Sequence, residues 1–231
     1  MDINEFSDRF DTLLNSYSGK EIYGDTKRVY SIEFNEYQKS AFLTQAQDNL
    51  VLQLYRKFES SEEIRQYLRT LVTNHTTDVK VITLEGISEL STFFEIPDST
   101  MFILNCNVNL NDKIVSALPI THDEFYLQIE NPYRKPTKEH AWRMDYKNIE
   151  DKKVIEIIAE PNVSNMSMRY LRRPQPIILT DLGELSINKV STESECELTQ
   201  DLHDEILNMA VGMAIQTMGA TQPKEQNVSN Q

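Results

Sequence analysis

Thr121, His122 and Asp123 place a hydroxyl, a base and a carboxylate in three successive positions, the groups from which hydrolases assemble a nucleophile, its general base and an orienting acid. The spacing argues against that chemistry. Consecutive side chains on one helical turn do not face each other, and no Gly-x-Ser-x-Gly elbow occurs in the chain. Thr121 and Glu124 are instead spaced as a capping box, which gives the threonine a structural role at a helix start. Cys196, Asp201, His203 and Glu205 are metal-ligand types, but no His-x-x-x-His, Cys-x-x-Cys or EF-hand spacing supports them. Acidic residues at a helix start, where the dipole favours anions, explain them more simply. With six glycines in all, neither a dinucleotide-binding fingerprint nor a P-loop is present, so no cofactor and no metal is expected. Cys106 and Cys196 stand apart, without disulfide or metal-knuckle spacing, and read as reduced structural thiols.

The stretch RYLRRPQPI, residues 169–177, sets three arginines beside an aromatic ring and two prolines. Arg169, Tyr170, Arg172 and Arg173 have the composition of a phosphate and base platform, which keeps a nucleic-acid-binding reading open. Strand alternation weakens it, because Arg169 and Leu171 would share one face and Tyr170 and Arg172 the other. The alternative is a strand that ends at Arg173, since Pro174 removes a donor and Pro176 keeps the next residues extended. Arginine is favoured in protein interfaces, where its guanidinium pairs with carboxylates, and the charge balance favours this protein-facing role.

The elements that must position these residues follow from periodicity. Asp2 and Glu5 have capping-box spacing, and Ile3, Phe6, Phe10, Leu13 and Tyr17 form a helical stripe. A loop is expected over residues 18–34. Asn35 with Gln38 then opens a helix striped by Leu43, Ala46, Leu50, Leu54 and Phe58, and Ser60 with Glu63 opens a third. From residue 79 the period changes. KVITL, TFFEI, MFILNCNV and IVSALPI read as strands, followed by a short helix over HDEFYLQIEN that Pro132 stops. AWRMDYKN, KVIEIIAE and SMRYLRR are further strands, with PQPIIL and ELSINKV as two more candidates. Thr199 can cap a last helix closed by Gly219, in which Leu202, Ile206, Met209 and Met213 form one stripe and Leu207, Val211 and Ile215 a second. The tail from Ala220 has little to bury and is expected to be mobile.

This predicts an α+β fold: N-terminal helices (1–78) and a C-terminal helix (191–219) forming a helical bundle, an inserted antiparallel β-domain (79–190), and a tail (220–231). The chain has 231 residues, 39% of them hydrophobic, enough for a real core. No basic and apolar leader or long apolar run is visible, so a soluble protein made in a cytoplasm, without membrane association, is expected. The net charge of -13 disfavours general phosphate binding. It is unevenly distributed: residues 131–180 carry ten Lys or Arg against six Asp or Glu, and residues 181–231 two against nine. Segments of opposite sign can attract each other within one subunit or between subunits.

Three stretches, FNEYQKSAFLTQAQDNLVLQLY, RYLRRPQPI and CELTQDLHDEILNMAVGMAI, together resemble the virion proteins of crAss-like bacteriophages, in particular the ring or head-to-tail adaptor proteins below the portal. The resemblance spans residues 4–215. It implies a virion structural subunit, not an enzyme, that forms a dodecameric ring between portal and tail of a short-tailed phage. Its partners would be copies of itself, the portal and neighbouring ring or tail proteins, with DNA passing through unbound. A protein interface is then expected at Arg169, Tyr170, Arg172, Arg173, Leu207, Val211 and Ile215. The tail from Ala220 would dock on the portal or the next ring.

Overall fold

The computed structural model describes residues 1–18, 33–58, 60–81, 84, 86–111, 113–149, 152–160 and 163–221. They fall into two compact units: residues 1–70 with 174–231, and residues 71–173. The expected loop at 18–34 and tail from 220 lie almost wholly outside the described residues.

The first unit is built on three long helices. In α1 (Ile3–Ser18) the side chains of Phe6, Phe10 and Leu14 are buried at helical spacing, so Leu14 rather than Leu13 continues the stripe, and Tyr17 is exposed. Helix α2 (Glu36–Tyr55) starts at the capping box read from the sequence. The Asn35 side chain accepts from the Gln38 N–H at 2.8 Å, and the Gln38 side chain accepts from the Asn35 N–H at 3.1 Å. A short helix, α3 (Glu62–Tyr67), is capped by Ser61, one residue beyond the serine expected. The last helix of the chain, α5 (His203–Thr221), runs past Gly219 and packs against α1 and α2.

One face of α2 is polar and nonetheless buried: Ser40, Thr44 and Gln47 are all under 5% exposed. Their partner is the extended backbone that follows the basic strand. Leu179 donates its N–H to the Ser40 hydroxyl at 3.0 Å. Ile177 donates to the Thr44 hydroxyl at 3.1 Å, and that hydroxyl donates to the Ile177 carbonyl at 3.3 Å. Gln47 donates to the Gln175 carbonyl at 2.7 Å and accepts from the Cys196 thiol at 3.2 Å. The periods are close: the steps of four and three residues along the helix rise about 6 and about 4.5 Å, two extended residues about 6.6 Å, and the longer Gln47 side chain spans the difference. Alternate backbone groups of 175, 177 and 179 thus meet successive turns of α2, and Pro174 and Pro176 interrupt only positions that need no donor on that side. The other edge of the segment is held by a two-way bridge between Ile178 and Ser194.

The second unit is a curled sheet whose strands are β1 (Val72–Thr77), β2 (Lys80–Val81), β3 (Ser91–Ile96), β4 (Thr100–Leu110), β5 (Lys113–Pro119), β6 (Ala141–Ile149), β7 (Lys152–Ile158) and β8 (Met166–Arg172). Their order is β1-β8-β4-β5-β6-β7-β3-β2. The sheet has seven full strands and the two-residue β2, and it curls toward a half-barrel in which β1 touches β3. Its inner face encloses a core that includes Phe94, Cys106, Val108, Ile155, Ile157, Met166, Met168 and Tyr170. Helix α4 (His122–Gln128) covers part of the outer face. There Phe125 meets Trp142 edge to face at 5.9 Å, with Met144 and Ile158 beneath.

The helical bundle with an inserted antiparallel β-domain is therefore corrected to a mixed α/β fold with five helices among the described residues. Strands β5 and β6 run parallel, because the chain between them crosses over through α4. Strand β1 arises within residues expected to be helical. Residues 174–199 form no strand among the described residues, since α2 side chains take the place of a neighbouring strand.

Candidate interaction surface

The sets that could have carried chemistry are not assembled. Thr121 caps α4, its hydroxyl accepting from the Glu124 N–H at 3.4 Å while the Glu124 carboxylate accepts from the Thr121 N–H at 3.1 Å. Among the described residues no hydrogen bond joins it to the exposed His122 or Asp123. Cys196 donates to Gln47, and His203 has both ring nitrogens engaged, Nε2 on the Leu198 carbonyl at 3.1 Å and Nδ1 on the Met1 ammonium at 2.9 Å. Asp201 and Glu205 are exposed, and no group of three His, Cys, Asp or Glu among the described residues could hold a metal. Thr199 precedes a 3-10 turn at Gln200–Leu202 but makes no side-chain cap bond. No described helix is long and apolar enough to cross a membrane.

Two buried polar centres outside those sets are structural in geometry. Lys39 lies between α1 and α2, its Nζ 2.6 Å from Asp11, 2.9 Å from Glu36 and 3.1 Å from the Ser7 hydroxyl. Burial pulls its pKa down, but the hydrogen bonds and charges of Asp11 and Glu36 outweigh that and raise it. Lys39 is thus a fixed cation and cannot serve as a base toward Ser7. Glu156, fully buried on β7, accepts from the Ile87 N–H at 2.9 Å and from the Ser91 hydroxyl. Gly86 is required beside it, because a Cβ there would fall 2.1 Å from Ser91 Cβ and 2.7 Å from the Glu156 carboxylate.

Burial also silences the thiols. It pushes Cys106 up to about 11, an effect that nearby Arg143 reduces, and Cys196 likewise to about 11. Neither is a nucleophile at neutral pH.

What remains is surface. Of the residues expected to form an interface, Arg169 and Arg173 are exposed and Arg172 is half-buried. Tyr170 is 5% exposed and points into the core of the curled sheet, so its ring is not offered for stacking on a base. Leu207 and Val211 are about 1% exposed and already packed in their own unit, whereas Ile215 keeps partial exposure. Its own α1 and α2 thus bury most of both stripes of α5 and leave Met209, Met213 and Ile215 partly exposed.

Arg169 occupies the outer face of β8, directly between Asn74 on β1 and Asn105 on β4. The next row along the same face is Thr76, Ser167 and Asn107. Among the described residues Arg169 makes no ion pair, and no carboxylate stands opposite it in the sheet. Sequence reasoning missed this face, although its signal was legible: in NCNVNL, residues 105–110, asparagines alternate with Cys106, Val108 and Leu110, all three buried. A second patch on this unit is apolar, with Leu118, Tyr126, Leu127 and Tyr133 each more than half exposed.

Comparison with known proteins adds what geometry alone does not supply. The profile of the phage tail ring protein 3/4 family matches residues 1–226. Ring protein 3 of Bacteroides phage crAss001 is 42% identical, over 91% of this chain and 94% of its own length. Ring protein 4/5 of the same phage is 32% identical, over 93% of this chain and 92% of its own length.

Proposed function

Because the chain belongs to the phage tail ring protein 3/4 family, we propose that it is the repeating subunit of a ring of twelve copies set between portal and tail of a short-tailed virion, through which duplex DNA passes. At the coarser level it is a structural ring protein of a crAss-like phage and not an enzyme. The observation that carries the reading is the family match over nearly the whole chain, together with a relative named as a ring protein that is covered almost end to end. The charge agrees with it. A net charge of -13 disfavours general phosphate binding, and an acidic lumen would let DNA slide with little friction.

In this reading residues 199–218 meet a neighbouring subunit through the partly exposed positions of α5, Met209, Met213 and Ile215. The exposed Arg169 and Arg173 face carboxylates, and the chain beyond α5 docks on the portal or the next ring. The alternative, a nucleic-acid-binding virion protein using residues 169–173, loses its aromatic platform to the burial of Tyr170. Imaging of the purified chain, alone and mixed with purified portal, tests the proposal. Closed rings that seat on the portal are expected, and a strictly monomeric particle under both conditions would overturn it.

A further inference from the structure

We propose that the outer sheet face around Arg169 is the docking surface for the acidic stretch 181–205 of a second copy of this chain. The inference rests on the ring reading and specifies which surfaces meet in it.

The first surface is polar and free of acid in the two rows around Arg169. Arg169 stands between Asn74 and Asn105, with Thr76, Ser167 and Asn107 in the adjoining row. Small amides and hydroxyls offer donors beside a planar guanidinium, a combination that accepts carboxylates. Among the described residues of its own unit, its charge is met by no carboxylate. In a chain of net charge -13, carboxylates of another copy are an abundant complement for an arginine so placed.

The second surface is the complement. Residues 181–205 carry eight Asp or Glu and one Lys. Asp181, Glu184, Glu193, Glu195, Asp201 and Glu205 are exposed, and none of these six takes part in an ion pair among the described residues. The stretch is anchored rather than loose: Leu182 donates its N–H to the Ser191 carbonyl at 2.8 Å, and Glu193 donates its N–H to the Asp181 carboxylate at 3.1 Å. The backbone that carries its carboxylates is therefore held in place, which reduces the ordering cost of docking.

The two surfaces are different parts of one sequence, so their contact between copies is heterologous. Such contacts are the kind that close into rings when the rotation between copies permits. Arg169 is the one cation of these two rows, too little for a nucleic-acid groove, which takes several. That favours protein carboxylates over phosphates as the occupant.

Charge exchange in the full-length chain tests this. Self-association is measured by sedimentation and native mass spectrometry for the wild type, for Arg169→Glu, for the triple variant Glu184→Lys, Glu193→Lys and Glu195→Lys, and for one chain carrying all four changes. All these positions are exposed, and circular dichroism confirms folding of each variant. Each partial variant is expected to associate about tenfold or more weakly, as for charge pairs at protein interfaces, and the combined chain is expected to regain most of the loss. Wild-type rings with Arg169→Glu unchanged, or a combined chain no better than its parents, would overturn the docking surface and leave the ring reading standing. A wild type that never associates, alone or with portal, removes both. Salt-sensitive retention of a short DNA duplex that Arg169→Glu abolishes, with self-association unchanged, would reassign the face to nucleic acid.

Discussion

Replacing Thr44 by valine changes almost no volume and removes one hydroxyl, which makes it a clean probe of how the first unit is held together. That hydroxyl is the partner of both the N–H and the carbonyl of Ile177, at 3.1 and 3.3 Å, and Ile177 is fully buried. Without it two backbone groups lose their partners where water does not reach. An orphaned buried group costs about 1–3 kcal/mol. The pair, less the saving from no longer burying the hydroxyl, comes to about 2–4 kcal/mol. Serine at the same position keeps the hydrogen bonds and loses one methyl, about 0.8 kcal/mol. Because the chain forms two units, amide exchange at Ile177 reports the local effect more directly than a global melt. At about 1.4 kcal/mol per tenfold, exchange at Ile177 should accelerate about 30-fold or more in Thr44→Val, and several times less in Thr44→Ser. A change under about threefold in the valine variant, or equal changes in the two, would show that the α2 polar face does not bear the extended segment.

Gly86→Ala should destabilise the second unit by about 1–3 kcal/mol, because the new methyl meets Ser91 and Glu156, which are tied to each other; a denaturant midpoint equal to wild type would contradict this. Both cysteines should react with an alkylating reagent at pH 8 about a hundredfold or more slowly than a free thiol, since their pKa values are pushed up to about 11, and unfolding should abolish the difference. His203 has its pKa lowered, chiefly by burial, with the chain-start ammonium adding to the shift and the Leu198 carbonyl opposing it. The unfolded chain therefore takes up that proton first, so this contribution to stability is complete above the ordinary histidine pKa of about 6.5 and is lost as pH falls below it. His203→Gln should flatten that part of the stability profile between pH 5 and about 7, and identical slopes would refute the assignment.

Helix starts were the most legible part of the fold, because Asn35 with Gln38 and Thr121 with Glu124 announce themselves by spacing alone, and both boxes are formed. The strands with an apolar face, such as Ser91–Ile96 and Lys152–Ile158, were also visible. Val72–Thr77 was not. As an edge strand it buries little, so VTNHTT shows no apolar alternation and reads as the end of a helical region. PQPIIL is a strand candidate by its branched residues, but its backbone bonds to helix side chains, a pairing that no strand signal encodes. The parallel pairing of β5 and β6 was implicit in the helix and loop between them, since a connection of that length with a helix is what a crossover requires. For the candidate surface, RYLRRPQPI drew attention to β8 and could not tell which of its side chains stay outside. Burial separated them, taking Tyr170 inward and leaving Arg169 among asparagines.

The polar row on α2 also bears on the order in which the chain is made. Its hydrogen-bond partners lie between 128 and 139 residues downstream. The intervening Leu71–Arg173 segment is continuous and closes its own core, so it can fold as it emerges from the ribosome. Ser40, Thr44 and Gln47 must keep water as their partner through that interval. The earlier helical segment is thus completed by a later one, and a chain cut short after the sheet would carry a finished β unit and an α2 still waiting for its strap.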